Sequence, residues 1–211
     1  MRMDKVVVLN HKMGLLYDDL YHYIDEVNSI EKDVNIIVCP SDIYLESFIN
    51  NGYYAVGAQN VSYYEDINHT GYISTDMLKS LGAEYVIVGH REARDSVEVI
   101  KKKFNACLDA NLIPILCIHS EEDLHLLKGV HHIEFIVFAY EPESGFNEEE
   151  LGHIYGKLNE EYGVKPTIIY GGNVNVDNIN DYMKNGYLSG VMLGSMSSDI
   201  DKVKDIIDMI E

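Results

Sequence analysis

Eight short apolar runs, rich in β-branched residues, recur along the 211 residues, and they limit the possible folds more than any other feature. Each run ends at glycine, proline, asparagine or another polar residue. Because the apolar residues are continuous rather than alternating, the runs predict parallel strands covered on both faces. The runs are Val6–Asn10, Asn35–Pro40, Tyr53–Ala58, Tyr85–Gly89, Ile113–Ile118, Phe135–Tyr140, Thr167–Tyr170 and Gly190–Leu193.

The segments between these runs carry apolar residues at helical spacing. The segment around Glu121–Leu127 has a weaker pattern, and the one around Val176–Met183 is short. Strand and helix alternate without a Gly/Ser linker, which predicts a parallel α/β fold. Clear helical faces are Leu20, Tyr23, Ile24 and Val27 near the start and Val203, Ile206, Ile207 and Ile210 near the end.

The first predicted strand is followed by Asn10-His11-Lys12-Met13-Gly14. An open, doubly wound dinucleotide binder carries G-x-G-x-x-G at this place, and this sequence lacks it. We therefore predict one closed (β/α)8 barrel over residues 1–211.

The charge and the cysteines narrow the function classes. Lys and Arg number 16 against 35 Asp and Glu, so the formal net charge is −19. Such a chain is not expected to bind nucleic acid or an anionic membrane, since phosphate backbones select basic surfaces. No stretch approaches the roughly 18 apolar residues of a membrane span. Three widely spaced cysteines, Cys39, Cys107 and Cys117, fit a reducing, cytoplasmic location.

Polar and glycine residues stand at the ends of most predicted strands. In a barrel these ends converge on one mouth, where catalytic sites lie. In strand order the candidates are Asn10 and Lys12; Gln59 and Asn60; His90, Arg91 and Glu92; Cys117 and His119; Glu141; Gly171, Gly172 and Asn173; and Gly194 and Ser195.

These residue types suit proton transfer beside a carbonyl group. A carboxylate such as Glu141 takes a carbon-bound proton, while His90 and Lys12 stabilise the negative charge on oxygen. The small residues after the last two strands let backbone N–H groups approach a phosphate. This chemistry requires no cofactor. No metal site is predicted, because His119, His131 and His132 lack carboxylates or thiols at ligand spacing.

Five motifs occur in order, each at a strand end. They are Asn10–Met13, Val56–Asn60, Thr70–His90, Ala139–Pro142, and the paired turns Ile169–Gly172 and Gly190–Gly194. Together they resemble the triosephosphate isomerase family over nearly the whole chain. The resemblance implies a TIM barrel and interconversion of dihydroxyacetone phosphate and glyceraldehyde 3-phosphate without a cofactor.

The resemblance also implies roles for individual residues. Glu141 would shuttle the proton, neutral His90 and Lys12 would polarise the carbonyl, and Asn10 would support them. An apparent helix over Asp95–Ala110 supplies a reason for a neutral His90, because a positive helix N-terminus disfavours a second proton. The residues implied in phosphate binding are Gly145, Gly171, Gly172, Asn173, Gly194 and Ser195.

Other residues carry supporting roles in the resemblance. Glu92 would pair with Lys12. Gln59 and Thr70 belong to a long loop, Gln59 to Ser74, that family members use to complete the neighbouring subunit's site. The resemblance therefore implies a homodimer that acts on a small phosphorylated sugar.

The chain also departs from the family pattern. Only Glu143-Ser144-Gly145-Phe146 separates Glu141-Pro142 from the acidic helix start at Asn147, so most of the family's hinged lid is absent. Arg91 stands where the family has serine, and it would either attract the phosphate or block the pocket. The other departures are Tyr72, Ala93, Asn173 and Ser195. Three interpretations stay open: a slow isomerase, an isomerase of another phosphorylated sugar, or a paralogue without activity.

Overall fold

Eight parallel strands close into a barrel in sequence order in the computed structural model, which describes residues 3–130, 133–163 and 165–210. Strand β1 pairs with both β2 and β8, so that Val8 lies opposite Ile37 on one side and Met192 on the other. The predicted (β/α)8 barrel is confirmed. The strands are β1 Val6–Asn10, β2 Asn35–Cys39, β3 Ala55–Ala58, β4 Tyr85–Val88, β5 Ile113–Ile118, β6 Val137–Tyr140, β7 Thr167–Tyr170 and β8 Gly190–Leu193.

Seven α-helices in the described residues pack outside the strands. The predicted helix over Glu121–Leu127 is instead a 3-10 helix, and Phe135 belongs to a 3-10 turn, Ile133–Phe135, rather than to β6. The predicted helix Asp95–Ala110 begins at Val97, because the Ser96 side chain caps it by accepting from the Val99 N–H. The helices are α1 Leu20–Asn28, α2 Leu45–Asn51, α3 Thr75–Leu81, α4 Val97–Asp109, α5 Glu148–Tyr162, α6 Ile179–Met183 and α7 Ile200–Asp208.

The core has two layers, one inside the barrel and one between the strands and the helices. Alternate residues of β1 illustrate this, since Val6 and Val8 point into the barrel while Val7 and Leu9 pack under the helices. Closure between β8 and β1 requires a glycine at position 190, because a Cβ there would lie 1.8 Å from the Val6 carbonyl oxygen. This close approach lies at the amino ends of β8 and β1, where Val6 is opposite Gly190 in the register that closes the barrel.

The three cysteines are buried and free. Across the described part of the chain, every helix is too short or too polar to cross a membrane.

His11 is fully buried immediately beyond the end of β1. Its ring packs edge-on against Tyr23 and Phe48, with centroids 4.7 and 5.5 Å away. Neither ring nitrogen has a hydrogen-bond partner among the described residues. Burial lowers the pKa of His11 to about 3, so the imidazole is neutral in the folded protein.

We expect His11 to make folding sensitive to acid. The unfolded chain takes up a proton near pH 6.5, whereas the folded chain takes it up only near pH 3, so stability is lost as pH falls through this window. Relative to H11F, the wild type should lose about 2 kcal/mol of unfolding free energy between about pH 7 and about pH 5. Urea unfolding at both pH values measures this. The exposed His22 provides the control, H22F, and equal pH dependence of H11F and wild type would contradict the expectation.

Candidate functional site

A cavity of about 410 Å³ opens at the carboxyl ends of the strands. It brings together most of the candidates that the sequence placed at strand ends, from β1, β4, β6, β7 and β8. Four apolar lining residues, Val174, Met192, Leu193 and Met196, were not anticipated, although they adjoin the predicted glycine turns. The anticipated lining residues are Asn10, Lys12, His90, Arg91, Glu141, Gly171, Gly172, Asn173, Gly194 and Ser195.

Glu141 follows β6 and turns its carboxylate inward. Its side chain is 2% exposed, and Oε1 lies 3.7 Å from His90 Nε2. Oε2 is buried without a hydrogen-bond partner among the described residues. The carboxylate occupies the space above Gly171, where a Cβ would lie 2.6 Å from Oε1. Glycine at position 171 is thus what allows the carboxylate into the cavity.

The pKa of Glu141 is raised. Burial is the main cause, because it disfavours the charged carboxylate. The charges of Arg91 and His119, a hydrogen bond from the Cys117 thiol and the charge of Lys12 act in the opposite direction. A carboxylate with a raised pKa is a stronger base for a carbon-bound proton.

His90 caps a short 3-10 helix, Arg91–Ala93, at the end of β4. Its Nδ1 accepts a hydrogen bond from the Glu92 N–H at 3.3 Å, which leaves the ring proton on Nε2. Burial lowers the pKa of His90, the Glu92 charge opposes this, and the nearby cations Lys12 and Arg91 add to the lowering. Helix α4 begins only at Val97, so burial and the adjacent 3-10 turn account for the neutral ring more directly than α4 does.

Lys12 lies just beyond β1 in a left-handed conformation, with φ 51°. Its Nζ contacts Glu92 Oε1 at 2.6 Å, and this hydrogen bond lowers the pKa of Glu92. Its backbone N–H donates to Asn10 Oδ1 at 3.3 Å, and its carbonyl accepts from Gln59 Nε2 at 2.9 Å and from Ser41 Oγ at 2.7 Å. Gln59 therefore holds the backbone of Lys12 and does not line the cavity.

Two turns, one after β7 and one after β8, line the cavity. Gly172 is covered by the Tyr170 ring, since a Cβ on Gly172 would lie 1.9 Å from the Tyr170 hydroxyl. Across the cavity, a Cβ on Gly194 would lie 3.4 Å from Lys12 Cε. The Gly194–Ser195 turn thus lies beside the Lys12 side chain, and the Gly171–Asn173 turn lines the same cavity, an arrangement suited to an anion.

The segment between β6 and α5 is short and packed. Gly145 lies there in an exposed turn, with φ 88°, and it is not among the residues lining the cavity. The Phe146 ring packs edge-on against Tyr170 and Tyr182, each with a centroid distance of 5.1 Å. The Tyr170 and Tyr182 rings lie 4.5 Å apart. We call Phe146, Tyr170 and Tyr182 the aromatic cluster.

The other end of this segment is held by α5. The Asn147 side chain caps α5 by accepting from the Glu150 N–H at 3.2 Å. The Tyr140 hydroxyl donates to Glu150 Oε2 at 2.7 Å. The residue before the base is thereby tied to the first turn of α5, and the connecting segment is anchored at both ends.

Thr70 lies away from the cavity. It is exposed in the Gln59–Ser74 loop, which has its own internal packing. The His69 ring stacks on the Tyr64 ring with centroids 3.6 Å apart, and His69 Nε2 lies 3.0 Å from Asp66 Oδ2. Ile67 at the tip is 98% exposed.

No group of three or more metal-ligating side chains occurs within the described ranges. His131 and His132 lie outside the described residues.

The cavity combines a buried carboxylate, a neutral imidazole, an ammonium group and two glycine turns. Such groups can move a proton between neighbouring carbons while donors stabilise the charge on oxygen. The ammonium and the turns can hold a phosphate. The arrangement is suited to isomerisation of a phosphorylated carbonyl compound.

Comparison with known proteins agrees with the chemistry that the cavity suggests. The family model described as triosephosphate isomerase matches residues 5–145 and 147–210. The triosephosphate isomerase of Ehrlichia chaffeensis (strain ATCC CRL-10679 / Arkansas) is 32% identical, with 97% of this chain and 96% of that protein covered. Those of Wolbachia sp. subsp. Brugia malayi (strain TRS) and Aquifex aeolicus (strain VF5) are 30% and 29% identical, covering 99% and 97% of this chain and 99% of each relative.

We expect the two carboxylates at the mouth to titrate on opposite sides of the ordinary glutamate range. Burial raises the pKa of Glu141, whereas Lys12 lowers that of Glu92. Carboxyl carbon NMR on selectively labelled protein measures both, with E141Q and E92Q assigning the signals. K12M should raise the Glu92 midpoint more than that of Glu141. A Glu141 midpoint below the ordinary range would contradict this description of the site.

Proposed function

The chain belongs to the triosephosphate isomerase family, and we propose that it interconverts dihydroxyacetone phosphate and glyceraldehyde 3-phosphate through an enediolate. The observation that carries the proposal is the buried Glu141 carboxylate, 3.7 Å from His90 Nε2, in a cavity that also contains Lys12. These are the base, the hydrogen-bond donor and the cation that the reaction needs.

Glu141 removes a proton from the carbon beside the carbonyl group and returns it to the neighbouring carbon. Its burial favours this step, because a desolvated carboxylate is the more basic one. His90 donates from Nε2 to the oxygens that gain negative charge, and Lys12 stabilises the same charge. Asn10 acts by holding the Lys12 backbone. The Gly171–Asn173 and Gly194–Ser195 turns hold the phosphate.

A second candidate is isomerisation of a larger phosphorylated sugar. The short β6–α5 segment supports it, since Gly145 does not reach the cavity and the mouth stays open beside the phosphate turns.

We also propose a homodimer in the cytoplasm. The Gln59–Ser74 loop projects Ile67, which is 98% exposed, and Met13 beside Lys12 is 91% exposed. Burying both in a second subunit would remove apolar surface from water next to the site. The free state of the three cysteines supports a reducing compartment.

We expect purified protein to convert glyceraldehyde 3-phosphate in a coupled assay, and E141Q to lower kcat at least about 100-fold because it removes the base. E143Q is the matched control, since Glu143 is exposed in the neighbouring turn and does not line the cavity. Larger aldose and ketose phosphates tested in parallel decide between the first two candidates. Turnover of none of these substrates above the E141Q background would reject both.

For the dimer, we expect I67E to shift the protein from dimer to monomer, since a charge would be buried at the subunit contact. Analytical ultracentrifugation measures the change. Y53E is the control, because Tyr53 is 92% exposed but precedes β3 at the opposite end of the barrel. A wild-type monomer at micromolar concentration, or an I67E dimer of unchanged stability, would contradict the proposal.

A further inference from the structure

Two of the residues lining the cavity are basic, Lys12 and Arg91. Lys12 is already paired with Glu92, at 2.6 Å. Arg91, in contrast, forms no ion pair within 4 Å with any residue of the described ranges. A phosphate group entering the cavity therefore meets Lys12, which is already ion-paired with Glu92, and Arg91, which has no such ion pair in the described ranges.

Arg91 begins the 3-10 turn that His90 caps, so its backbone is fixed beside the site. It lines the cavity together with Glu141, the residue that follows β6. Gly172 and Asn173 follow Tyr170 and line the same cavity. Arg91 and the Gly171–Asn173 turn therefore line one and the same cavity.

The nearby β6–α5 segment offers no competing contact to a phosphate. Gly145 lies outside the cavity lining, and Glu143 adds a negative charge to the exposed turn. The chain as a whole carries a formal net charge of −19, which disfavours the approach of an anion. A local cation at the mouth would offset this repulsion.

We propose that the Arg91 guanidinium binds the phosphate of the substrate and sets the preference of this site for phosphorylated compounds. The inference rests on the proposed isomerase function. A planar guanidinium presents paired donors that match phosphate oxygens, and such charge-assisted hydrogen bonds are roughly twice as strong as neutral ones. Lys12 then remains with Glu92 and close to the carbonyl end of the substrate.

The test compares R91S and R91K with R94S. Arg94 ends the same 3-10 turn, is exposed and does not line the cavity, so R94S is the control for loss of a nearby charge. R91S should raise KM for glyceraldehyde 3-phosphate about 10-fold or more, with a smaller change in kcat. R91K should lie between R91S and wild type. Turnover of unphosphorylated glyceraldehyde, followed as deuterium incorporation by NMR, should change less than about twofold.

Calorimetric titration with glycerol 3-phosphate and with inorganic phosphate provides a readout that needs no turnover. Both should bind R91S at least about 10-fold more weakly than they bind wild type or R94S. Unchanged phosphate binding in a folded R91S protein, or a lower KM, would overturn the inference, and the lower KM would identify Arg91 as an obstruction. An equal loss of kcat on both substrates with intact phosphate binding would also overturn it. If wild type binds phosphate through Arg91 but isomerises no substrate, the inference stands and the proposed function fails.

Discussion

The site depends on removing one carboxylate from water. Glu141 occupies the space that the missing side chain of Gly171 leaves, and burial raises its pKa. A buried carboxylate without compensation would destabilise the fold, and here the charges of Arg91, His119 and Lys12 and a hydrogen bond from the Cys117 thiol offset part of that cost. Burial makes the carboxylate a stronger base, while the neighbouring groups act against the rise in its pKa and limit the cost of burying it. The burial of Glu141 therefore determines both how the barrel must pack at this position and how the carboxylate reacts.

The barrel makes this arrangement possible by bringing distant segments to one mouth. Lys12 follows β1 and Glu92 follows β4, yet their side chains meet at 2.6 Å because both strands end at the same rim. Gln59, from the end of β3, fixes the Lys12 backbone from a third direction. Lys12 is therefore already in position before the substrate binds. Substrate binding then does not have to order this side chain, and the entropic cost of binding is smaller.

Much of the fold followed from the sequence, because continuous apolar runs have few alternatives to buried parallel strands. The bounds of β1, β5, β7 and β8 match the predicted runs. The segment Glu121–Leu127 formed a 3-10 helix instead of the predicted α-helix, and the Asp123 carboxylate accepts from the His119 and Ser120 N–H groups at its start. The helix propensities of these residues gave no indication that a 3-10 helix would form instead of an α-helix.

For the site, the sequence identified strand-end residues but not their distances. The family resemblance implied Gly145 in phosphate binding, and the structure places it outside the cavity lining because the segment is too short to fold over the mouth. Gln59 proved to act on a backbone carbonyl, a contact that no residue pattern encodes. The apolar residues Val174 and Met196 complete the wall only because two turns meet in space.

The aromatic cluster has a consequence for the fate of the reaction intermediate. Phe146 packed against Tyr170 and Tyr182 fastens the β6–α5 segment to the phosphate turn, so the wall of the cavity is in place before any ligand arrives. A segment this short, packed against the phosphate turn, leaves the mouth of the cavity open. Water then shares the cavity with the enediolate, whose carbon–oxygen bond to phosphate can break to give a reactive dicarbonyl compound. A cell that relies on this protein would need a means to remove that by-product.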